Sequence, residues 1–227
     1  QRSQSCPDRV ALVADGVATT FSELEEEAQH AARRLTAYGV RRGATVAMTM
    51  RGGREQVVLI HALMKTGSVL LPVSPRLSDD ERSRALKQCR VSIDLDEPDR
   101  LTRTEADMPL LGEHDMEDIH CRILTSGSSG AAHAVGLTYG NHLFSAMGSA
   151  YNIGIDPGDR WLCALPLSHI SGLSIIMRSV IYGTAVVLHD GFDVDAVARS
   201  IPEQGVNVIS MVSTMLLRLL DAGADLS

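Results

Sequence analysis

Short apolar runs alternate along the chain with longer segments whose apolar residues recur every three or four positions. ATVAMTM, SVLLPVS and VSIDL are typical of buried strands, whereas EQVVLIHALMKTG has the periodicity of a helix. Helices of ten or more residues between apolar strands favour a parallel sheet that is covered by helices on both faces. The pattern therefore predicts a β-α-β-α-β unit in the first half of the chain.

The amino-terminal segment predicts a hairpin followed by a helix. We interpret RVALVADGVATTF as two short strands joined by the turn Asp15-Gly16. Ser22 and Glu25 have the spacing of a capping box, so we expect this helix to begin at Ser22. Ser78 and Glu81 have the same spacing and predict the start of another helix.

The second half of the chain returns to the alternating pattern after a polar, acidic segment from Asp96 to Glu117, which we interpret as an irregular surface excursion. Strands HCRIL and AVGLT come first, and a helix begins near Asn141. Beyond the turn Asp156-Pro157-Gly158, strands WLCALPL, TAVVLH and VNVISMV alternate with the helical segments ISGLSIIMRSVIYG, Asp193 to Glu203 and TMLLRLLDAG. The predicted class is α/β, with two α/β units joined at this turn.

Composition restricts the partners more than the fold. The chain has 227 residues, of which 44% are hydrophobic, and a net charge of -7 without a basic segment, so nucleic acid and membrane are not expected as partners. The four scattered cysteines form no Cys-x-x-Cys pair, no apolar run has the length of a membrane span, and the polar start is unlike a signal peptide. A cytoplasmic location is the expectation.

The segment LTSGSSGAAHAVGLT, residues 124–138, carries the candidate chemistry. Small residues let successive backbone amides point into one concavity, and hydroxyl groups add donors at its rim, which suits phosphate oxygens. A flexible Gly/Ser connection is the alternative, but it is unexpected between two apolar strands. The Walker A pattern is absent. The expected phosphate-binding residues are Thr125, Ser126, Gly127, Ser128, Ser129, Gly130 and His133.

A metal site is not expected from the sequence. His189, Asp190, Asp193 and Asp195 resemble metal ligands, but they follow a strand and open a helix. Acidic residues at that place cap the helix and interact favourably with its dipole.

TSGSSGAAHAV resembles the phosphate loop of the adenylate-forming ligases, the superfamily of acyl-CoA synthetases and adenylation domains. Residues 125–130 match, as do Ala134 and Val135, whereas Ala132 and His133 replace the proline and lysine of the family pattern. A second motif, LPLSHISG, is similar to the family's motif at the acyl-substrate pocket. The resemblance thus implies a pocket role for His169, which is also the catalytic candidate, and for Ser171, Gly172 and Ser213.

The resemblance implies two reactions, carboxylate adenylation by Mg²⁺-bound ATP and transfer of the acyl group to CoA. It also implies a partial amino-terminal AMP-binding lobe over 1–227, with one subdomain at 41–158 and part of a second at 159–227 together with 1–40. The family's adenine motif and mobile carboxy-terminal domain lie beyond this segment, so the chain alone is expected to be inactive. Other acyl- or aryl-CoA ligases, an adenylation domain, a degenerate binding module and a homo-oligomer all remain open.

Overall fold

The computed structural model describes residues 2–96, 104–125 and 133–226. Its helices are α1 (Arg2–Ser5), α2 (Phe21–Tyr38), α3 (Arg54–Thr66), α4 (Asp79–Gln88), α5 (Tyr139–Ile153), α6 (Ile170–Tyr182), α7 (Val194–Gln204) and α8 (Ser213–Asp221). Its strands are β1 (Val10–Ala14), β2 (Val17–Thr20), β3 (Thr45–Thr49), β4 (Val69–Val73), β5 (Ile93–Leu95), β6 (Ile119–Thr125), β7 (His133–Thr138), β8 (Arg160–Cys163), β9 (Ala185–Leu188) and β10 (Val208–Ile209).

The strands form two five-stranded sheets. The middle sheet has the order β5-β3-β4-β6-β7, and the terminal sheet has the order β10-β8-β9-β1-β2. Pairing is parallel except in the hairpins β1–β2 and β6–β7, which lie at one edge of each sheet. The predicted α/β class with largely parallel sheets is therefore confirmed. The subdomain boundaries at 41 and 158 stay a prediction.

Strand residues alternate between a shared core and two outer cores. In β3, Val46 and Met48 belong to the largest core cluster and Ala47 to a smaller one, because successive side chains point to opposite faces of a sheet. In β8, Trp161 belongs to the same large cluster and Leu162 to a third cluster. Buried residues of α2, α3 and α6 complete the large cluster, so these helices lie between the sheets.

The cap of α2 differs from the sequence-based prediction. The helix begins at Phe21, and Thr20 is its N-cap: its hydroxyl accepts from the backbone N–H of Glu23, and the Glu23 carboxylate accepts from that of Thr20 at 2.8 Å. The capping box at Ser22 and Glu25 is wrong, because Ser22 already lies inside the helix. The box at Ser78 and Glu81 is confirmed.

Two further segments refine the predicted elements. VNVISMV forms a strand of only two residues, Val208–Ile209, beside β8. Residues 104–117 contain no helix or strand, and Leu110 nevertheless packs against the large core cluster. Across the residues that the structure describes, every helix is too short or too polar to cross a membrane.

Candidate active site

The β6–β7 hairpin brings the two described ends of the candidate phosphate loop together. Thr125 ends β6 and pairs with His133 at the start of β7, and the Thr125 hydroxyl donates to the His133 carbonyl oxygen at 3.1 Å. The expected donors Ser126, Gly127, Ser128, Ser129 and Gly130 lie outside the described residues. Both described end residues are exposed to solvent.

The second motif forms a tight connection between β8 and α6. His169 is the N-cap of α6 and is exposed, and its backbone N–H donates to the Pro166 carbonyl oxygen at 3.1 Å. Gly172 is buried where the helix meets this connection. A Cβ atom there would lie 2.5 Å from the carbonyl oxygen of Pro166 and 2.6 Å from that of Leu165. The glycine of the motif therefore permits the close approach that sets the position of His169 and Ser171.

A cleft of about 340 Å³ opens beside this connection, between α5 and α6. Ser171 lines the cleft, whereas His169, Gly172 and Ser213 do not, so the structure brings only part of the predicted acyl pocket to it. The other lining residues come mainly from the facing surfaces of the two helices: Leu137, Asn141, His142, Ser145, Ile170, Ser174, Met177 and Arg178. These mixed polar and apolar walls suit a small organic acid.

Arg178 is the functional candidate that sequence reasoning missed. Its guanidinium donates to the Ser145 hydroxyl at 3.3 Å and lies 5.4 Å from the centre of the Trp161 ring. Among the described residues no carboxylate forms an ion pair with it, and its buried Nε has no hydrogen-bond partner. A sequence signal existed, because Arg178 is the one charged residue of the apolar helix α6. An unpaired guanidinium in a cleft is suited to bind a carboxylate.

Among the acidic residues near His189, Asp193 has a structural role. The Asp193 carboxylate accepts from the backbone N–H of Ala196 at 2.9 Å and caps α7. His189 forms a 2.9 Å hydrogen bond with the Ser200 hydroxyl. Burial lowers the pKa of His189, and Asp193 opposes that shift.

The sequence matches one protein family over its whole length. A family model described as AMP-binding enzyme matches residues 1–111 and 94–227. The chain therefore belongs to the AMP-binding enzyme family, as the two motifs predict. Within it, LPLSHISGLS and SMVSTMLLRLLD are most like o-succinylbenzoate-CoA ligase.

Individual relatives support this finer resemblance. The chain is 37% identical over 237 residues to 2-succinylbenzoate–CoA ligase of Bacillus licheniformis. The aligned region covers 96% of this chain and 50% of the relative. The chain is 38% identical to the Bacillus subtilis enzyme, with coverage of 97% and 49%. The chain thus spans about half the length of the curated relatives it matches.

Solved structures give the same result for the fold. O-succinylbenzoate coenzyme A synthetase from Bacillus subtilis in complex with AMP superposes with a TM-score of 0.95 at 35% identity, covering 99% of this chain and 64% of that chain. The same enzyme in complex with ATP and magnesium ion gives a TM-score of 0.90 at 37% identity, with coverage of 97% and 64%.

Proposed function

We propose that this chain forms the phosphate-binding and acid-binding half of an ATP-dependent 2-succinylbenzoate–CoA ligase. In the first step a carboxylate oxygen of the acid attacks the α-phosphorus of ATP, and pyrophosphate leaves. In the second step the thiol of CoA loses its proton and attacks the acyl carbonyl, and AMP leaves. Both steps depend on positioning the reactants and on stabilising phosphate charge.

The unpaired guanidinium of Arg178 in the cleft carries the proposal. The acid named for the relatives has two carboxylates. One must react with ATP, and the other keeps its negative charge throughout. Arg178 is the cation that lines the cleft, and it lies about two helical turns beyond Ser171. Pairing of Arg178 with the unreactive carboxylate would leave the other carboxylate free to react.

The two motifs would serve the reacting end of the substrate. His169 and Ser171 lie at the start of α6, where an imidazole or hydroxyl group can donate to an acid oxygen. Thr125, the loop amides and His133 would bind the ATP phosphates. Mg²⁺, when bound with ATP, would neutralise part of the phosphate charge, and this chain has His133 where the family pattern has a lysine.

The test is Arg178→Ala in the full-length protein that contains this lobe. A charged hydrogen bond is worth about 1.5 to 3 kcal/mol, so KM for 2-succinylbenzoate should rise roughly 10- to 100-fold while KM for ATP stays unchanged. An analogue that lacks the unreactive carboxylate should be insensitive to the substitution. Arg84→Ala, which removes an exposed arginine from α4, is the matched control.

Two results would contradict the proposal. An equal rise in KM for ATP would indicate that Arg178 supports the fold between α5 and α6. Equal sensitivity of the analogue would mean that the guanidinium does not bind the unreactive carboxylate.

A further inference from the structure

A cluster of two histidines and a cysteine is buried behind the cleft. His120 and Cys121 belong to β6, and His142 belongs to α5. His120 Nδ1 lies 3.1 Å from His142 Nε2, and Cys121 Sγ lies 3.7 Å from the same nitrogen. One nitrogen from each ring and the sulfur all lie within 4.8 Å of one another.

An irregularity in the β6–β7 pairing brings the three side chains together. Ile119 pairs with Thr138 and Cys121 with Leu137, so His120 has no residue of its own opposite it. In a regular strand the side chains of neighbouring residues point to opposite faces, and a bulge re-aims one of them. The ring of His120 and the thiol of Cys121 can therefore both reach His142.

We propose that His120, Cys121 and His142 bind a divalent transition-metal ion of the zinc type. Zinc bonds are about 2.0–2.1 Å long to nitrogen and about 2.3 Å long to sulfur. In a tetrahedral arrangement, two nitrogen ligands are therefore about 3.3 Å apart, and a nitrogen and a sulfur ligand are about 3.6 Å apart. The two separations from His142 Nε2, 3.1 and 3.7 Å, lie within about 0.2 Å of these values, and the third pair of ligand atoms, on His120 and Cys121, lies within 4.8 Å. Three protein ligands leave the fourth tetrahedral position for water.

All three side chains are buried, with exposed fractions of 1% for His120, 0% for Cys121 and 5% for His142. A metal ion binds the neutral form of imidazole, through the ring nitrogen that carries no proton.

The thiol must lose its proton when the ion binds. Burial raises the pKa of Cys121 to about 12, so the metal-free cluster holds a thiol. Coordination replaces the S–H bond by a metal–sulfur bond, and the proton leaves to solvent.

The cluster borders the cleft through one residue. His142 lines the cleft and also contacts both other ligands. The alternative for the same atoms is a neutral hydrogen bond between the rings with a thiol beside it. The metal site does not depend on the acid that the cleft binds.

The decisive experiment titrates the purified protein with Co²⁺ and, separately, with Zn²⁺. We expect one Zn²⁺ per chain and, with Co²⁺, a near-ultraviolet thiolate-to-cobalt charge-transfer band. Cys121→Ser should abolish the band. Zn²⁺ affinity should fall more than about 100-fold, since losing an outer-shell partner alone costs 10- to 100-fold. Cys163→Ser is the matched control, because Cys163 is equally buried and bonds only to backbone carbonyl oxygens.

Two outcomes would overturn the site. One is a wild-type cobalt complex without the thiolate band, a result that requires no variant and stands even if Cys121→Ser fails to fold. The other is a folded Cys121→Ser protein that binds Zn²⁺ as tightly as the wild type. Either result would leave a hydrogen-bonded core cluster only.

Discussion

At the scale of single residues, the most specific prediction concerns the stability effect of replacing Gly172. The space for a Cβ atom at Gly172 is taken by the carbonyl oxygens of Leu165 and Pro166. Gly172→Ala should therefore lower the free energy of unfolding by about 1–3 kcal/mol, as overpacked cores do. Chemical denaturation with urea measures the change.

The control is a glycine in open space. Gly148 lies inside α5, and a Cβ there would meet nothing within 4 Å. Gly148→Ala should stabilise the protein by about 0.5–1 kcal/mol, because alanine is the better helix former. If the two variants were equally stable, the connection before α6 would not require close approach at Gly172.

The candidate site could be predicted only in part, and particular residues show why. The motif around His169 is local in sequence, so its placement between β8 and α6 followed from periodicity alone. The side of the cleft that faces Arg178 comes from α5, which packs beside α6 from a distant part of the sequence. The contacts of both His120 and Cys121 with His142 depend on strand register, which no local pattern at these residues reveals.

At the scale of elements, the cap of α2 can be tested directly. Thr20→Ala removes the hydroxyl that accepts from the Glu23 N–H and should lower the free energy of unfolding by about 1 kcal/mol. Ser22→Ala is the control: Ser22 is exposed inside the helix, so its loss should change stability little. Thermal unfolding followed by circular dichroism gives both values. A larger loss of stability in Ser22→Ala than in Thr20→Ala would instead support Ser22 as the N-cap, as the sequence predicts.

The same cap carries a pH signature. The backbone N–H of Thr20, and then its hydroxyl, hold the pKa of Glu23 below its usual value. A carboxyl group whose pKa is lower in the folded than in the unfolded state stabilises the folded state at pH values above the unfolded-state pKa. This stabilisation is lost as pH falls through the folded-state pKa. Thr20→Ala removes only the hydroxyl contribution and keeps that of the backbone N–H. The loss of stability as pH falls below the usual glutamate pKa should therefore be somewhat smaller in Thr20→Ala than in Ser22→Ala.

Elements were easier to predict than their ends. β3 and β4 are buried at every position and consist mainly of apolar residues. Such runs are typical of strands in a sheet that is covered on both faces, so the sequence identifies these segments as strands. The α2 cap was misplaced because Thr20 and Ser22 both have an acidic residue three positions later. Local spacing could not choose between them, and the pairing of Thr20 with Val10 in the hairpin fixes the helix start.

At the scale of the whole molecule, α8 exposes an apolar surface. Leu219 is fully buried, whereas Leu217 and Leu220 are 57% and 53% exposed. Neighbouring exposed leucines favour association, so the chain should self-associate in a concentration-dependent way. The double variant Leu217→Glu, Leu220→Glu should shift sedimentation velocity profiles towards the monomer.

A charge-matched control separates apolar contact from repulsion. Ser83→Glu with Gln88→Glu adds the same two charges on the exposed part of α4 and should leave association unchanged. Equal effects of the two double variants would attribute the change to net charge. A wild-type chain that stays monomeric at every concentration would contradict the prediction outright.

The terminal sheet has a consequence for synthesis on the ribosome. The hairpin β1–β2 emerges early, but the strand that pairs with β1 on its other side, β9, begins only at Ala185. At 5–20 residues per second, translation from Thr20 to Ala185 takes roughly 10–30 s. An isolated two-stranded hairpin is at best marginally stable in water. In the nascent chain, β1 therefore stays unpaired on one side until all strands of the middle sheet have been translated.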